Sequence, residues 1–259
     1  MSSTIERTGL FPSECPYVAG RPAVSVGWSS VGFVHWGYEP DRVARLLPDN
    51  LQVDVYGGQA WVGYQFLTVT PGAGTRLGRL AGWATRRAAF HEMRLTVCVV
   101  DRDGRPGVHY LSIDIDRSAI VRWQRRVLNL PAFHSGITAS ATVPGVAEYR
   151  SRRSDDTTAR LRMQVGSSVA DTDIDHFLTA RWRILLPQRF WVGGTEHRWV
   201  VTAHDPWLLH RASVVTVDED ALLAGGLPVP GGPAHGLWSP GVDVRISRPQ
   251  TATDGSEAA

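Results

Sequence analysis

Residues 89–116 read AFHEMRLTVCVVDRDGRPGVHYLSIDID, and this stretch is the strongest indication of the fold class. Apolar and polar side chains alternate with a period of two on both sides of Asp101–Gly107, a segment rich in turn-forming residues. The pattern therefore predicts two β-strands joined by a short connection.

The same stretch carries the candidate chemistry. In the first strand Glu92 and Arg94 share one face, and in the second Ser112 and Asp114 share a face. If the strands pair across the turn, these four side chains line one polar patch. One interpretation is a strand face covered by water. The other is the interior of a barrel, where Arg94 would bind an anionic ligand and Glu92 or Asp114 would act as general acid or base.

The period of two recurs along most of the chain. Gly57-Gly58 is a hairpin signal between two further strand patterns. Helical patterns are few and short, and the clearest runs from Ser118 to about Leu130. We therefore expect a mainly β (α+β) fold, an antiparallel β-barrel with a few short helices.

We expect one β-barrel domain over 23–248, an N-terminal extension over 1–22 and a disordered, polar tail over 249–259. No apolar run reaches ~18 residues, so we expect no membrane association. The first residues lack the basic and apolar regions of a signal peptide, so we expect a cytoplasmic protein. The composition is compatible with a homo-oligomer.

The charged residues exclude several classes of function. The chain has 259 residues and no lysine, so all 27 of its Lys and Arg residues are arginine. A Schiff-base lysine and a phosphate-binding P-loop lysine are therefore excluded. The net charge is only +2 and the arginines are interleaved with acidic residues, so we expect no nucleic-acid partner.

Metal and cofactor signals are also missing from the sequence. The nine histidines form no HxH or HExxH pattern, and Cys15 and Cys98 lie far apart. The glycine pairs do not form a strand–GxGxxG–helix unit. We therefore expect no metal and no cofactor. Three of the ten tryptophans, Trp28, Trp36 and Trp61, lie on strands that would wall an apolar pocket.

Several motifs resemble the YqjF-like family of uncharacterised bacterial proteins over roughly residues 25–247. The motifs are His35-Trp36, Leu46-Leu47-Pro48, Asp54-x-Tyr56-x-Gly58-x-Ala60-Trp61-Val62-Gly63, Phe90-x-Glu92-x-Arg94, Ser112-x-Asp114, Leu130-Pro131-x-Phe133-His134, Tyr149-Arg150-Ser151-Arg152 and His176-Phe177-Leu178-Thr179-x-Arg181. Proline is common in that family where this chain has His91, and a small polar residue where it has Met93.

The family is distantly similar to acetoacetate decarboxylase, whose cone-shaped antiparallel β-barrel encloses a small-molecule site with a Schiff-base lysine beside a second lysine. The resemblance implies that Glu92 is a pocket glutamate and that Trp123–Arg126 lies near the position of the lysine pair. Arginine then occupies both lysine positions, as Arg125 and Arg126. A guanidinium does not form the imine at useful rates, so this chain cannot decarboxylate by that route.

Three functions are consistent with these observations. The first is cofactor-free binding of a small organic acid or carbonyl compound. The second is a lyase-, isomerase- or hydrolase-type enzyme with a pocket Glu or Asp as general base and an arginine as anion clamp. The third is a structural or protein-partner role without a ligand. The catalytic candidates are Glu92 and Asp114, and the ligand-binding candidates are Arg94, Ser112, Arg125, Arg126, His134 and Trp61.

Overall fold

The computed structural model of the chain describes residues 5–6, 11–17, 22–72, 89–141, 145–187, 198–218 and 220–251. Its strands are β1 (Ile5–Glu6), β2 (Val24–Tyr38), β3 (Gln52–Tyr56), β4 (Gln59–Pro71), β5 (Phe90–Val100), β6 (Pro106–Ile115), β7 (Ala132–Ala141), β8 (Gly145–Arg153), β9 (Thr158–Val169), β10 (Arg183–Leu186), β11 (Arg198–His204), β12 (His210–Val217), β13 (His235–Ile246) and β14 (Gln250–Thr251).

In the described parts of the chain helices are few and short, as expected. There they are α1 (Pro40–Ala44), α2 (Ser118–Trp123), α3 (Asp173–Thr179) and α4 (Asp220–Ala224). The helix predicted from Ser118 to Leu130 is α-helical only to Trp123 and continues as one π-helical turn, Gln124–Leu128, which Asn129 ends in the left-handed conformation. No helix in the described parts of the chain is long and apolar enough to cross a membrane.

All fourteen strands belong to one sheet, in the order β1-β3-β5-β4-β2-β13-β12-β9-β8-β7-β6-β10-β11-β14. Pairing between β5 and β6 closes the sheet into a ring, which has 10 strands when it includes β3, paired with both β5 and β4. A second path closes a smaller ring, because β13 also pairs with β11: it runs β5–β4–β2–β13–β11–β10–β6 and back to β5. Both rings share the long strands at the centre of the sheet.

The expectation of a purely antiparallel sheet is wrong at three pairings. β6 pairs in parallel with β7 and with β10, and β1 pairs in parallel with β3. In the first case the reason is the connection: α2 and the π-helical turn carry the chain from the end of β6 back to the edge of the sheet. A helical crossover of this kind brings two strands together in parallel.

One extra residue in β6 decides which side chains share a face. On the turn side of the β5–β6 pair, Thr96 lies opposite Tyr110, and continuation of that register would put Ser112 opposite Arg94. A register shift at Leu111 follows, so Ser112 instead lies opposite Leu95. A β-bulge of one residue moves every later side chain to the other face.

The expectation of a disordered tail over 249–259 is wrong for its first residues. Gln250–Thr251 form β14, which pairs with β11, and the side chain of Gln250 accepts a hydrogen bond from Trp199 Nε1 at 2.9 Å. The remaining residues of that predicted tail, 252–259, lie outside the described residues. Within the expected N-terminal extension, Phe11 is buried against the ring of Phe177, with ring centroids 5.0 Å apart.

Candidate functional site

Rows of side chains that run across the smaller ring form the candidate site. His35 on β2 lies opposite Gly63 on β4, which lies opposite Thr96 on β5. In the next row Gln65 lies opposite Arg94. Directly opposed residues of antiparallel strands point to the same face. The registers therefore place His35, Gln65, Arg94 and Thr96 on one side of the sheet.

Glu92 and Arg94 form a buried ion pair on this face. Their side chains are 3% and 7% exposed, so the interpretation as a water-covered strand face is wrong. Arg94 donates to Glu92 Oε2 from Nε at 2.8 Å and from Nη2 at 2.5 Å, and it donates from Nη1 to Gln65 Oε1 at 3.1 Å. The guanidinium also stacks on Trp28, with Cζ 4.4 Å from the ring centroid.

The π-helical turn supplies the third member of this cluster. Gln124, its first residue, donates from Nε2 to Glu92 Oε1 at 3.0 Å. Both carboxylate oxygens of Glu92 are thereby held by donors on different elements. Single π-helical turns occur frequently at functional sites, because the wider turn redirects a side chain.

The cluster lies at one end of a cavity of about 160 Å³, here called the apolar cavity. Apart from the Glu92–Arg94–Gln124 cluster, its walls are mainly aliphatic and aromatic. The lining residues are Ala23, Val24, Val26, Trp28, Val69, Tyr110, Trp123, Val127, Leu128, Leu130, Ile184, Val200, Ile246, Ser247 and Pro249. Trp123 is 46% exposed and Val127 is 39% exposed, so they stand at its edge.

A second cavity of about 40 Å³, here called the polar chamber, adjoins the first. The two share the walls formed by Trp28, Arg94, Tyr110 and Ile184. The remaining walls of the polar chamber include His35, Gln65, Thr96, Arg181 and His204. Burial lowers the pKa of His35 to about 3 and that of His204 to about 4, so both imidazoles are neutral at pH 7.

The structure does not bring all four predicted polar side chains together. Because of the bulge at Leu111, Ser112 and Asp114 lie on the face opposite Arg94. There Asp114 accepts hydrogen bonds from Arg153 Nε at 2.6 Å and from Ser151 Oγ at 2.7 Å. Asp114 therefore belongs to a buried network behind the site, and the single polar patch expected from alternation is wrong.

Four other candidates lie away from the Glu92–Arg94 pair. Arg125 and Arg126 are exposed, because the side of the π-helical turn that faces the cavity carries Gln124, Val127 and Leu128. His134 is exposed on β7. Trp61 donates to the Tyr56 carbonyl at 3.0 Å and packs at the cluster around Phe177. None of these four side chains lines the apolar cavity or the polar chamber.

Sequence reasoning did not propose several residues that line the two cavities. Gln65, Tyr110, Gln124 and Arg181 carry no periodic or spacing signal that separates them from other polar strand and helix residues. Trp28, predicted with Trp36 and Trp61 to wall an apolar pocket, does line both cavities, whereas His35 is one of nine scattered histidines. Among the described residues there is no group of three or more His, Cys, Asp or Glu side chains arranged to hold a metal ion.

Solved structures share this architecture at low sequence identity. The enduracididine biosynthesis enzyme MppR complexed with pyruvate superposes with a TM-score of 0.63 at 15% identity, over 96% of this chain and 100% of that chain. Acetoacetate decarboxylase from Legionella pneumophila subsp. pneumophila str. Philadelphia 1 gives a TM-score of 0.60 at 13% identity, over 98% and 100% of the two chains. The protein therefore has the acetoacetate decarboxylase-like fold.

Within that fold class, the chain belongs to the DUF2071 family of uncharacterized conserved proteins, whose family model matches residues 25–243. A relative is the uncharacterized protein YqjF of Bacillus subtilis (strain 168), which is 27% identical over 218 residues, 78% of this chain and 81% of that protein. The family assignment made from the sequence motifs is confirmed.

Proposed function

We propose that this protein binds a small, largely apolar organic acid or carbonyl compound in the apolar cavity, without a cofactor and without Schiff-base chemistry. In this proposal the ring of strands serves as a barrel-like container. The observation that carries the proposal is an apolar cavity with one polar end, formed by the buried cluster of Glu92, Arg94 and Gln124. Ligand sites commonly combine apolar walls with a few placed polar groups.

Size and charge narrow the ligand class. The cavity of about 160 Å³ is small beside the roughly 300–1,000 Å³ of pockets for drug-sized molecules. Glu92 balances the charge of Arg94, so this end of the cavity is suited to a polar but uncharged group such as a carbonyl. The structural neighbour MppR complexed with pyruvate supports a small carbonyl compound as the kind of ligand.

A matched pair of variants tests this proposal. Val127→Trp fills the edge of the cavity from an exposed position, whereas Val215→Trp adds the same side chain at a residue that is 60% exposed and does not line the cavity. We expect a short methyl ketone, 2-heptanone, to bind the wild type and Val215→Trp in calorimetry but not Val127→Trp. Equal binding by both variants would contradict the proposal.

Proton transfer at Glu92 is a second candidate function. The observation in its favour is that Glu92 lines the cavity with both oxygens oriented by Arg94 and Gln124. If Glu92 is a general base, Glu92→Gln abolishes exchange of the α-protons of a bound ketone with deuterium and changes its affinity only a few-fold. Equal loss of exchange and of affinity would assign Glu92 to binding alone.

A further inference from the structure

Two residues of the polar chamber each have a buried polar atom without a hydrogen-bond partner among the described residues, Nδ1 of His35 and Nη2 of Arg181. Both residues line the chamber, and they are 3% and 6% exposed. Burying a polar group without a hydrogen-bond partner is unfavourable, so two such atoms on residues that line one small cavity point to an occupant that satisfies them.

We propose that the polar chamber is a carboxylate subsite, in which Arg181 and His35 bind the acid group of a ligand whose apolar body lies in the apolar cavity. This inference rests on the proposed function and narrows it to medium-length monocarboxylates. It also assigns the anion-binding role to Arg181 rather than to Arg94.

The charges around the chamber favour an anion. Among the described residues, its lining includes the guanidinium groups of Arg94 and Arg181 and no Asp or Glu. The carboxylates that balance them lie elsewhere: Glu92 lines the apolar cavity, and Asp54 is fully buried against Arg181 without lining either cavity. Each guanidinium is therefore paired with a carboxylate outside the chamber, and inside the chamber a ligand meets the N–H donors of these two groups and no described acidic side chain.

The two guanidinium groups differ in the donors they have left. Arg94 uses Nε, Nη1 and Nη2 in its bonds to Glu92 and Gln65. Arg181 donates from Nε to the Phe177 carbonyl at 2.6 Å and from Nη1 to Asp54, and its Nη2 has no described partner. An arginine Nη carries two N–H donors, so Arg94 keeps one on each Nη, whereas Arg181 keeps both donors of Nη2 for a carboxylate oxygen without breaking an existing bond.

Aromatic rings and a glycine hold the two binding groups in place. The Arg181 guanidinium lies 4.2 Å from the centroid of Phe177, which fixes its plane. His35 is neutral at pH 7, so in the Nδ1–H tautomer it donates to the second carboxylate oxygen. Gly63, between His35 and Thr96 in the sheet, provides the space beside the imidazole.

The volumes of the two cavities define the ligand. At about 40 Å³ the polar chamber accommodates a few water molecules or one carboxylate-sized group, but not a whole aliphatic acid. The rest of the molecule has to extend past the shared walls at Trp28 and Tyr110 into the apolar cavity. A straight-chain monocarboxylate such as hexanoate has this division into head and body.

The test uses hexanoate and its neutral isostere 2-heptanone, in which a methyl group replaces the charged oxygen. We expect wild-type protein to bind hexanoate more tightly in calorimetry at pH 7. His35→Phe and Arg181→Lys should each weaken hexanoate about tenfold or more, the effect of one charge-assisted hydrogen bond, and change 2-heptanone less than about twofold. Arg181→Lys keeps a cation beside Asp54, and His176→Phe, a histidine outside both cavities, is the control.

The outcomes separate the subsite from the proposed function. If 2-heptanone binds, Val127→Trp blocks it, and hexanoate shows no preference or no sensitivity to His35→Phe, only the carboxylate subsite is overturned. If neither compound binds the wild type, the proposed function fails as well. A crystal soaked in hexanoate with water alone in the polar chamber would also overturn the subsite.

Discussion

Gly63 lies directly beneath the imidazole of His35 on the neighbouring strand: a Cβ at Gly63 would come within 2.3 Å of His35 Cδ2 and 2.4 Å of the Val34 carbonyl oxygen. Real Cβ atoms do not approach other heavy atoms so closely, and one of the two contacts is to backbone. The glycine is therefore required by the close approach of the strands at the polar chamber.

Gly63→Ala is expected to destabilise the fold by roughly 1–3 kcal/mol, because His35 and the β2 backbone have to move. The control is Gly136→Ala on β7, where the nearest heavy atom to a new Cβ is 3.9 Å away, so we expect a change within about 1 kcal/mol. Urea unfolding monitored by circular dichroism measures both. Equal effects of the two substitutions would mean that the contact to His35 is not what restricts position 63.

The Glu92–Arg94 pair is expected to behave as one unit. Removing either partner leaves a buried charge, so Glu92→Leu and Arg94→Met should each cost about 3–5 kcal/mol, whereas the double variant should recover most of that loss. The exposed pair of Glu148 and Arg150 is the comparison, and we expect its coupling to be much weaker, because water screens both charges. A double-mutant cycle by denaturant titration measures both couplings, and additive costs at Glu92 and Arg94 would refute the pairing.

His35 is expected to make the fold less stable in mild acid. Burial, helped by the nearby charges of His235 and Arg181, lowers its pKa from 6.5 to about 3. Between these values the unfolded chain binds one proton more than the folded protein at this site. The stability that this site has above pH 6.5 is therefore lost as the pH falls from 6.5 towards 3, by up to about 1.4 kcal/mol per pH unit.

The measurement is the free energy of unfolding at several pH values from 7 to 4, for wild type and His35→Phe. The variant should lose less stability than wild type over this range. The change of its unfolding free energy with pH should correspond to about one proton fewer than in wild type. His204, whose pKa is lowered to about 4 chiefly by burial, is present in both proteins and cancels. Identical slopes would show that folding does not lower the pKa of His35.

Asp175 is expected to stabilise the fold above pH 4. Burial opposes its ionisation, but hydrogen bonds from His235 and Thr172 outweigh burial and lower its pKa from 3.8 to about 2. A lowered pKa contributes stability that is complete above pH 3.8 and is lost as the pH falls towards 2.

Asp175→Asn should therefore cost about 2 kcal/mol at pH 7 and almost nothing near pH 2. Asp171→Asn is the control, because Asp171 also contacts a histidine, His176 at 2.6 Å, but its side chain is 77% exposed. Its cost should stay below about 1 kcal/mol. Thermal unfolding at pH 7 and pH 2.5 distinguishes the two, and a cost for Asp175→Asn that does not change with pH would contradict the ionic contribution.

Period-two alternation was sufficient to predict the mainly β fold and the common face of Glu92 and Arg94, because both depend on residues close together in one strand. The motif order was sufficient for the family. The absence of lysine excludes imine chemistry at a side chain whatever the fold, because no other side chain supplies that amine.

Only the tertiary structure placed the partners of those residues. Because of the bulge at Leu111, Ser112 and Asp114 lie on the face opposite Arg94. In the π-helical turn, the side chain that binds Glu92 is Gln124 and not Arg125. Arg181 reached the polar chamber through the packing of α3 against the sheet. Alternation defines faces within one strand, whereas register shifts, ring closure and helix packing depend on contacts between distant segments, which one strand's pattern does not encode.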